Sequence, residues 1–275
     1  MQIAPVYDRT VLTIDGGPAI VPALVRQRLR LLDLLDSLSD EQWATPSRCE
    51  GWRVQDVIVH LASVDPYWLA SITAGLAGAP TRFLHTFDPK ATPAALVDAA
   101  GPKSPAEALA ELRIATAALC DLVERLDETA LSKIAESPAG HVAIRDVLHH
   151  VLWDAWVHER DVALPVGLVP TQEQDEIAAS LRYVAALSPL FAVMAGTAAD
   201  ASLVLEANAP EVRVVVSVTS ERVLVHDGDA SGDAVVLAGD AVELIEMLSA
   251  RVPFVGAVPA DRSWLVRSLA DVFEV

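Results

Sequence analysis

The spacing of hydrophobic residues changes along the chain, and this change constrains the fold more than any other feature of the sequence. Up to about residue 165, apolar residues recur at intervals of three and four, as on one face of an α-helix. After about residue 200, apolar and polar residues alternate with period two, and β-branched residues dominate segments such as 213–219. The sequence therefore predicts a helical part followed by a part that combines strands and helices.

Four long amphipathic helices are predicted in the first part. They cover residues 18–38, 54–75, 104–126 and 141–164. The third begins with Ser104, Pro105 and Glu107, a capping box with proline at the first helical position. The connection between the second and third helices, 82–103, contains three prolines and is a candidate lid. Four helices with one longer crossover predict a four-helix bundle.

The second part has the pattern of a small mixed domain. Predicted strands precede a helix that begins at Gly239 and Asp240, and a last helix is expected from Asp261 onward. We therefore predict a two-domain α+β protein, with a helical bundle over 1–168 and an α+β domain over 169–275.

The charge balance and the cysteines limit the possible partners and the compartment. Asp and Glu number 38 against 20 Lys and Arg, which argues against binding to nucleic acid or to anionic membranes. The longest uncharged stretch, 183–199, is shorter than the roughly 20 apolar residues of a membrane span. The two cysteines form no CxxC pair, and the first residues lack a signal-peptide pattern. We expect a soluble cytoplasmic protein; the oligomeric state is not predicted.

The fourth predicted helix carries a candidate metal site. Asp154 and His158 are four residues apart and therefore share one helix face, where a carboxylate and an imidazole can hold one ion. His60, on the second helix, could supply a third ligand, and His150 is a rival because it precedes Asp154 by four residues. From spacing alone, a hydrogen-bonded Asp154–His158 pair on a solvated face is the commoner alternative.

Other candidate residues carry weaker signals. Asp56, Asp65 and Asp146 are expected to be solvated or to compensate a helix dipole in the first turn. Cys49 precedes the second helix, where its thiol could be activated by the helix N-terminus, but a small buried residue is the simpler interpretation.

Several segments together resemble a known family. The segments are LSDEQW (38–43), PSRC (46–49), GWRVQDVIVHL (51–61), VLHHVLWDAWVHERD (147–161) and GDAVELIEMLSAR (239–251). They are similar to the mycothiol-dependent maleylpyruvate isomerase family, whose N-terminal domain is a DinB-like metal-binding four-helix bundle. The resemblance spans nearly the whole chain and implies a small C-terminal α+β domain related to sterol-carrier folds.

The resemblance implies specific site residues. His60, Asp154 and His158 would be the metal ligands, with zinc the usual ion, although the isomerase pattern has Glu where this chain has Asp154. Arg251 would be the catalytic candidate that contacts the thiol or the substrate at the domain cleft. It follows Ala250, where the family pattern often has glycine. A surface arginine is the alternative interpretation of Arg251.

The function implied by the resemblance is that of a thiol-dependent metalloenzyme. A divalent metal, most often Zn²⁺, would activate a low-molecular-weight thiol such as mycothiol, which then reacts with an electrophilic small molecule. Cis–trans isomerisation of a maleylpyruvate-type substrate and S-transfer both fit this chemistry. The alternatives are a non-catalytic small-molecule-binding protein and a metal-stabilised protein of the same fold.

Overall fold

The computed structural model describes residues 2–273. Helices and strands alternate unevenly along this part of the chain. The helices are α1 (Ile20–Asp36), α2 (Asp40–Trp43), α3 (Val54–Leu76), α4 (Ala91–Ala100), α5 (Pro105–Val123), α6 (Glu128–Leu131), α7 (Ile144–Ala163), α8 (Gln174–Met194), α9 (Ala241–Leu248) and α10 (Trp264–Phe273). The strands are β1 (Leu12–Ile14), β2 (Ile134–Ser137), β3 (Gly140–Ala143), β4 (Ala201–Asn208), β5 (Val212–Val218), β6 (Val223–His226) and β7 (Val235–Asp240).

The four long helices expected from the sequence form the bundle. Helix α3 packs against α5 and α7, and α1 packs against the same two helices, so the four surround a common core. The capping box predicted at Ser104 is present, since its hydroxyl accepts a hydrogen bond from the N–H of Glu107. The chain thus has a helical N-terminal region and a sheet-containing C-terminal part, as the α+β prediction required.

The expectation that the region 1–168 is entirely helical is wrong at its beginning. Strand β1 joins the C-terminal sheet at its edge, where Leu12 to Ile14 pair in parallel with Val223 to Val225 of β6. The carboxylate of Asp146, in the first turn of α7, accepts a hydrogen bond from the N–H of Ile14 and ties this strand to the bundle. A three-residue strand whose partner is about 200 residues away gives no local pattern, which is why the periodicity missed it.

A second departure lies just before α7. Residues expected to begin the fourth helix instead form β3, which pairs antiparallel with β2 as a hairpin. Gly140 has a φ of 103° and lies directly against the backbone of Val6, so a side chain there would clash. The helix consequently starts three residues later than predicted, at Ile144.

Helix α8 connects the bundle to the C-terminal sheet. The sheet has the strand order β1-β6-β5-β4-β7, with antiparallel pairs in the middle and a parallel pair at each edge. Helix α8 packs on α7 on one side and on β5, β6, α9 and α10 on the other. One continuous hydrophobic core therefore runs from the bundle into the sheet, and the domain boundary at 168/169 remains a prediction.

A buried ion pair inside the bundle corrects a further expectation. Asp65 was expected to be solvated, but its side chain is 0% exposed and accepts two hydrogen bonds from Arg28, at 2.9 and 3.1 Å. Arg28 is likewise buried, on α1. The pairing satisfies both charges where neither could be solvated.

Two helices are long and apolar enough to cross a membrane by length and composition, namely α3 and α8. Their apolar windows are 56% and 89% buried within the protein. Both are therefore core helices, as expected for a soluble protein.

Candidate metal centre

Two bundle helices bring the candidate ligands together. His60 lies on α3, and Asp154 and His158 lie four residues apart on α7. Helix α3 starts after Arg53, whose N–H is capped by the carboxylate of Asp56 at 2.8 Å. The three ligand atoms lie within 4.8 Å of one another. The sequence-predicted trio is thus assembled by the packing of α3 against α7.

The distances in this cluster fit a shared ion better than direct hydrogen bonds. Asp154 Oδ2 lies 3.7 Å from His60 Nε2, and Asp154 Oδ1 lies 3.5 Å from His158 Nε2. Hydrogen bonds between such atoms are about 2.7–3.2 Å long. Ligands bound tetrahedrally to zinc at about 2.0–2.1 Å are separated by about 3.4 Å. The two imidazole nitrogens and the carboxylate oxygen also form a donor set suited to zinc.

The electrostatics of the cluster favour a positive charge between these groups. Burial opposes the charged form of His158, but Asp154, Cys49 and Asp161 together raise its pKa to about 10. Burial likewise opposes ionisation of Asp154, yet His158 and His60 hold the pKa of its carboxyl well below the usual range. The site therefore stabilises a positive charge in a buried setting.

Asp161 fixes the orientation of His158. Its carboxylate, 0% exposed, lies 3.0 Å from His158 Nδ1. Because an ionised carboxylate can only accept, Nδ1 carries a proton toward Asp161, and Nε2 faces Asp154 and His60, where it can bind an ion once its own proton is displaced. This carboxylate–histidine arrangement is the one that commonly supports a metal-bound histidine from behind.

Arg251 reaches this carboxylate from the C-terminal part. Its Nε lies 2.9 Å from both oxygens of Asp161, and its Nη1 donates to the carbonyl of Ser249 at 3.1 Å. The guanidinium is largely buried and lines the cavity beside the cluster. Arg251 is therefore paired with Asp161 in the structure. The contact of Arg251 with a thiol or a substrate remains a prediction.

The position of Arg251 depends on how α9 ends. The N–H of Arg251 bonds to the carbonyl of Glu246 at 2.8 Å, and the N–H of Ala250 bonds to that of Met247 at 3.2 Å. This is a Schellman motif, which needs a left-handed residue at the position of Ala250, whose φ is 55°. The left-handed backbone at this position explains why the family pattern often has glycine there. Alanine in the same conformation is strained by about 1 kcal/mol.

Cys49 enters the site, although the sequence favoured a small buried residue. Its Sγ lies 3.3 Å from Asp161 Oδ2 and 3.7 Å from His158 Nδ1, so these three residues form a second possible metal-binding group. The Asp161 carboxylate is already paired with Arg251, whose Nη2 is 3.8 Å from the sulfur. A cation placed there would face the guanidinium, so the electrostatics favour the group of His60, Asp154 and His158.

His150, the rival ligand, is turned to another partner. Its Nδ1 lies 2.5 Å from the hydroxyl of Tyr183 on α8, and it is not part of either metal-binding group of the described residues. Burial lowers the pKa of His150 to about 4, so the ring is neutral at pH 7. Trp153 lines the same cavity, whereas Trp156 is buried beneath Arg160.

The cluster opens into a cavity of about 730 Å³ between the bundle and the C-terminal part. The candidate lid contributes to its wall, with Phe87, Lys90 and Leu96 among the lining residues. The segment before α4 is anchored by Glu136, whose carboxylate accepts hydrogen bonds from the N–H groups of Phe83 and Leu84. The candidate metal site thus opens onto a space for a ligand, and the candidate lid forms part of its wall.

Sequence reasoning named the trio but missed the residues that support it. Asp161 was visible three residues after His158 in the 147–161 segment, and this spacing could have identified it as the partner of Nδ1. Arg48 and Cys49 lie in a turn whose backbone is held to α7 by a 3.1 Å hydrogen bond from the Arg48 N–H to the Asp161 carbonyl. No local pattern predicts that contact.

Comparisons with known proteins agree with this architecture. The family model described as mycothiol maleylpyruvate isomerase N-terminal domain matches residues 24–163, just over half of the chain. The crystal structure of the mycothiol-dependent maleylpyruvate isomerase is similar, with a TM-score of 0.61 and 18% identity over 87% of this chain and 93% of that one. A histidine-to-alanine mutant of the mycothiol-dependent maleylpyruvate isomerase gives a TM-score of 0.61 and 17% identity, with the same coverage. No curated protein matches the chain.

The fold defines an α+β protein in which a helical bundle faces a sheet-containing part across a cavity. More specifically, the chain belongs to the mycothiol maleylpyruvate isomerase N-terminal domain family. The similarity to solved structures, at this level of identity, establishes the shared fold.

Proposed function

We propose that the protein is a metal-dependent enzyme that uses a low-molecular-weight thiol of the mycothiol type on an electrophilic small molecule. The observation that carries the proposal is the convergence of His60, Asp154 and His158 at the wall of a cavity. Three protein ligands leave one coordination position for an exogenous group, as in catalytic rather than structural zinc sites. Family membership supports the thiol as the cosubstrate.

The side chains have separate tasks in this proposal. His60, Asp154 and His158 hold the ion, which when bound lowers the pKa of a thiol and so supplies a nucleophile at neutral pH. Asp161 accepts a hydrogen bond from the Nδ1–H of His158 and keeps Nε2 turned toward the ion, and Arg251 holds Asp161 in place. The cavity walls orient the reactants and limit access of water.

Two reactions follow from the same addition of the thiol to an electrophilic carbon. In a cis–trans isomerisation, the sulfur adds to a double bond, the resulting single bond rotates, and elimination of the thiol gives the trans product. In S-transfer, the adduct is released as the product. Both reactions use the same ligands, so the proposal covers an isomerase and a transferase.

Turnover with a thiol tests this proposal. Zinc-loaded protein is mixed with mycothiol and either maleylpyruvate or 4-phenylbut-3-en-2-one, and both the trans isomer and the S-conjugate are quantified. We expect one of the two products to form at a rate that falls about a hundredfold or more when the thiol is omitted or the metal is chelated. Restoring zinc should restore the rate. A protein that forms neither product above the background rate contradicts the proposal.

A further inference from the structure

His150 has a place in the cavity that the metal centre does not explain. It is half-buried, lines the cavity and precedes Asp154 by four residues on α7. This spacing puts both side chains on one face of the helix, about 6 Å apart along its axis. His150 belongs to neither metal-binding group of the described residues. Its ring therefore lies beside the candidate metal site without being a ligand.

The hydrogen bond with Tyr183 assigns the position of the proton on this ring. The hydroxyl of Tyr183 lies 2.5 Å from His150 Nδ1 and has no other hydrogen-bond partner within residues 2–273. Tyr183 is 4% exposed, and burial holds the pKa of its hydroxyl well above the usual range, so the hydroxyl stays protonated. If Nδ1 donated instead, this buried proton would lack an acceptor. The phenol therefore donates to Nδ1, and the neutral ring carries its proton on Nε2.

The Nε2–H group of His150 is available to a molecule in the cavity. Nε2 makes no hydrogen bond within the described part of the chain, and it does not belong to the buried polar atoms that lack a partner there, such as His60 Nδ1. Burial lowers the pKa of His150 to about 4, which keeps the ring neutral at pH 7. The group is consequently an uncharged donor that a ligand can reach.

Aromatic rings surround this donor and limit its contact with water. The centroid of the His150 ring lies 4.9 Å from that of Trp68 and 5.8 Å from that of Trp153. The ring of Tyr183 lies 5.0 Å away on a further side. All three aromatic residues line the cavity. A fixed donor in such surroundings stabilises a developing negative charge more than water does, because the donor need not reorganise and the local dielectric constant is low.

We propose that His150 is a catalytic residue that donates its Nε2–H to a carbonyl oxygen conjugated to the reactive double bond of the electrophile. The inference rests on the proposed function for the thiol and adds a residue outside the metal-binding group to the chemistry. One helical turn between Asp154 and His150 suits such a molecule, because its reactive carbon and its carbonyl oxygen are only a few bonds apart. Tyr183 is the positioning residue that keeps the proton on Nε2.

The same electron movement serves both reactions. The lone pair of the thiolate sulfur forms the new C–S bond, the π pair of the double bond shifts toward the carbonyl carbon, and the carbonyl π pair moves onto the oxygen. His150 stabilises this enolate oxygen by a hydrogen bond and keeps its own proton. In isomerisation, bond rotation and the reverse electron movement expel the thiolate. In S-transfer, the proton that the thiol lost on ionisation returns through water to the carbon next to the carbonyl.

The tautomer of His150 is measured without turnover. Side-chain ¹H–¹⁵N correlation spectra of the zinc-loaded protein at pH 7 distinguish protonated from unprotonated ring nitrogens, and His150→Gln identifies the His150 signals by their loss. We expect a neutral ring with its proton on Nε2. Tyr183→Phe keeps the aromatic ring but removes the hydroxyl, so this preference should be lost. A proton on Nδ1 of His150 in the parent, or the same spectrum in Tyr183→Phe, would overturn the proposal.

Two electrophiles separate the role of His150 from that of the thiol. With mycothiol and zinc, 4-phenylbut-3-en-2-one forms an enolate on addition, whereas benzyl chloride has no carbonyl and releases chloride. His150→Phe should lower kcat for the enone about a hundredfold and leave bound zinc and the rate with benzyl chloride unchanged. His150→Gln, whose amide N–H can replace Nε2–H, should retain more of the enone rate. The matched control is His85→Phe, at an exposed histidine outside the cavity, which should equal the parent.

The outcomes distinguish failure of this role from failure of the proposed function. An enone rate that is unchanged in His150→Phe, an equal loss with both electrophiles, or loss of zinc from this variant would overturn the role of His150 while the thiol reaction stands. If the parent accelerates the enone reaction alone, equal rates of His150→Phe and His150→Gln with the enone would overturn it. A parent that accelerates neither reaction would contradict the proposed function and the role of His150 together.

Discussion

Replacing His158 by alanine is expected to remove the metal and the thiol-dependent activity together. The substitution deletes one of the three metal ligands and also leaves Asp161 without its imidazole partner. The two remaining ligands cannot form a tetrahedral zinc site with one exogenous group. Bound zinc, measured by elemental analysis after dialysis, should fall from about one ion per chain to background. The rate of product formation with mycothiol should fall about a hundredfold or more.

His85→Ala is the matched control for this substitution. His85 is exposed and belongs to neither metal-binding group of the described residues. It should retain both zinc and activity. If His158→Ala binds zinc as the parent does, the ligand assignment is wrong. If it loses zinc but turns over at the parental rate, the metal has no part in the reaction.

The largest expected loss of stability comes from breaking the buried pair between Arg28 and Asp65. Arg28→Met removes the two hydrogen bonds at 2.9 and 3.1 Å and leaves a carboxylate that is 0% exposed without its countercharge. We expect the free energy of unfolding, measured by urea denaturation at pH 7, to fall by about 3–5 kcal/mol. The effect arises because the stranded charge must stay buried or take up a proton.

Two further variants separate burial of the charge from loss of the contact. The double variant Arg28→Met/Asp65→Leu removes both charges and should be more stable than Arg28→Met alone. Arg113→Ala breaks the exposed pair of Arg113 with Asp36, which lies 2.7 Å away, and should cost about 1 kcal/mol or less. Equal losses in Arg28→Met and Arg113→Ala would mean that the buried pair has no special role.

Local patterns were sufficient to predict the bundle and its candidate ligands. The helical periodicity gave α1, α3, α5 and α7 to within a few residues at most ends, because each helix buries one continuous apolar face. The spacing of Asp154 and His158 placed them on one face of α7. His60 on the second helix could be named as a possible third ligand, with His150 as a rival, and the family resemblance favoured His60.

The features that sequence reasoning missed depend on contacts between distant segments. Strand β1 has three residues and pairs with a strand near the C-terminus. Asp65 looked solvated because its partner Arg28 lies on another helix. Cys49 and Arg251 reach Asp161 only after the bundle and the C-terminal part have packed together. Hydrophobic periodicity reports which face of an element is buried, but not which polar groups meet there.

The position of a bound zinc ion tests the central claim most directly. Crystals of the protein grown with Zn²⁺ are measured above and below the zinc absorption edge, and the anomalous difference density is calculated. We expect one peak at about 2.0–2.2 Å from His60 Nε2, an Asp154 carboxylate oxygen and His158 Nε2, with further density at an open coordination position facing the cavity. A zinc peak held instead by Cys49, His158 Nδ1 and Asp161, or no peak at either group, would contradict the account.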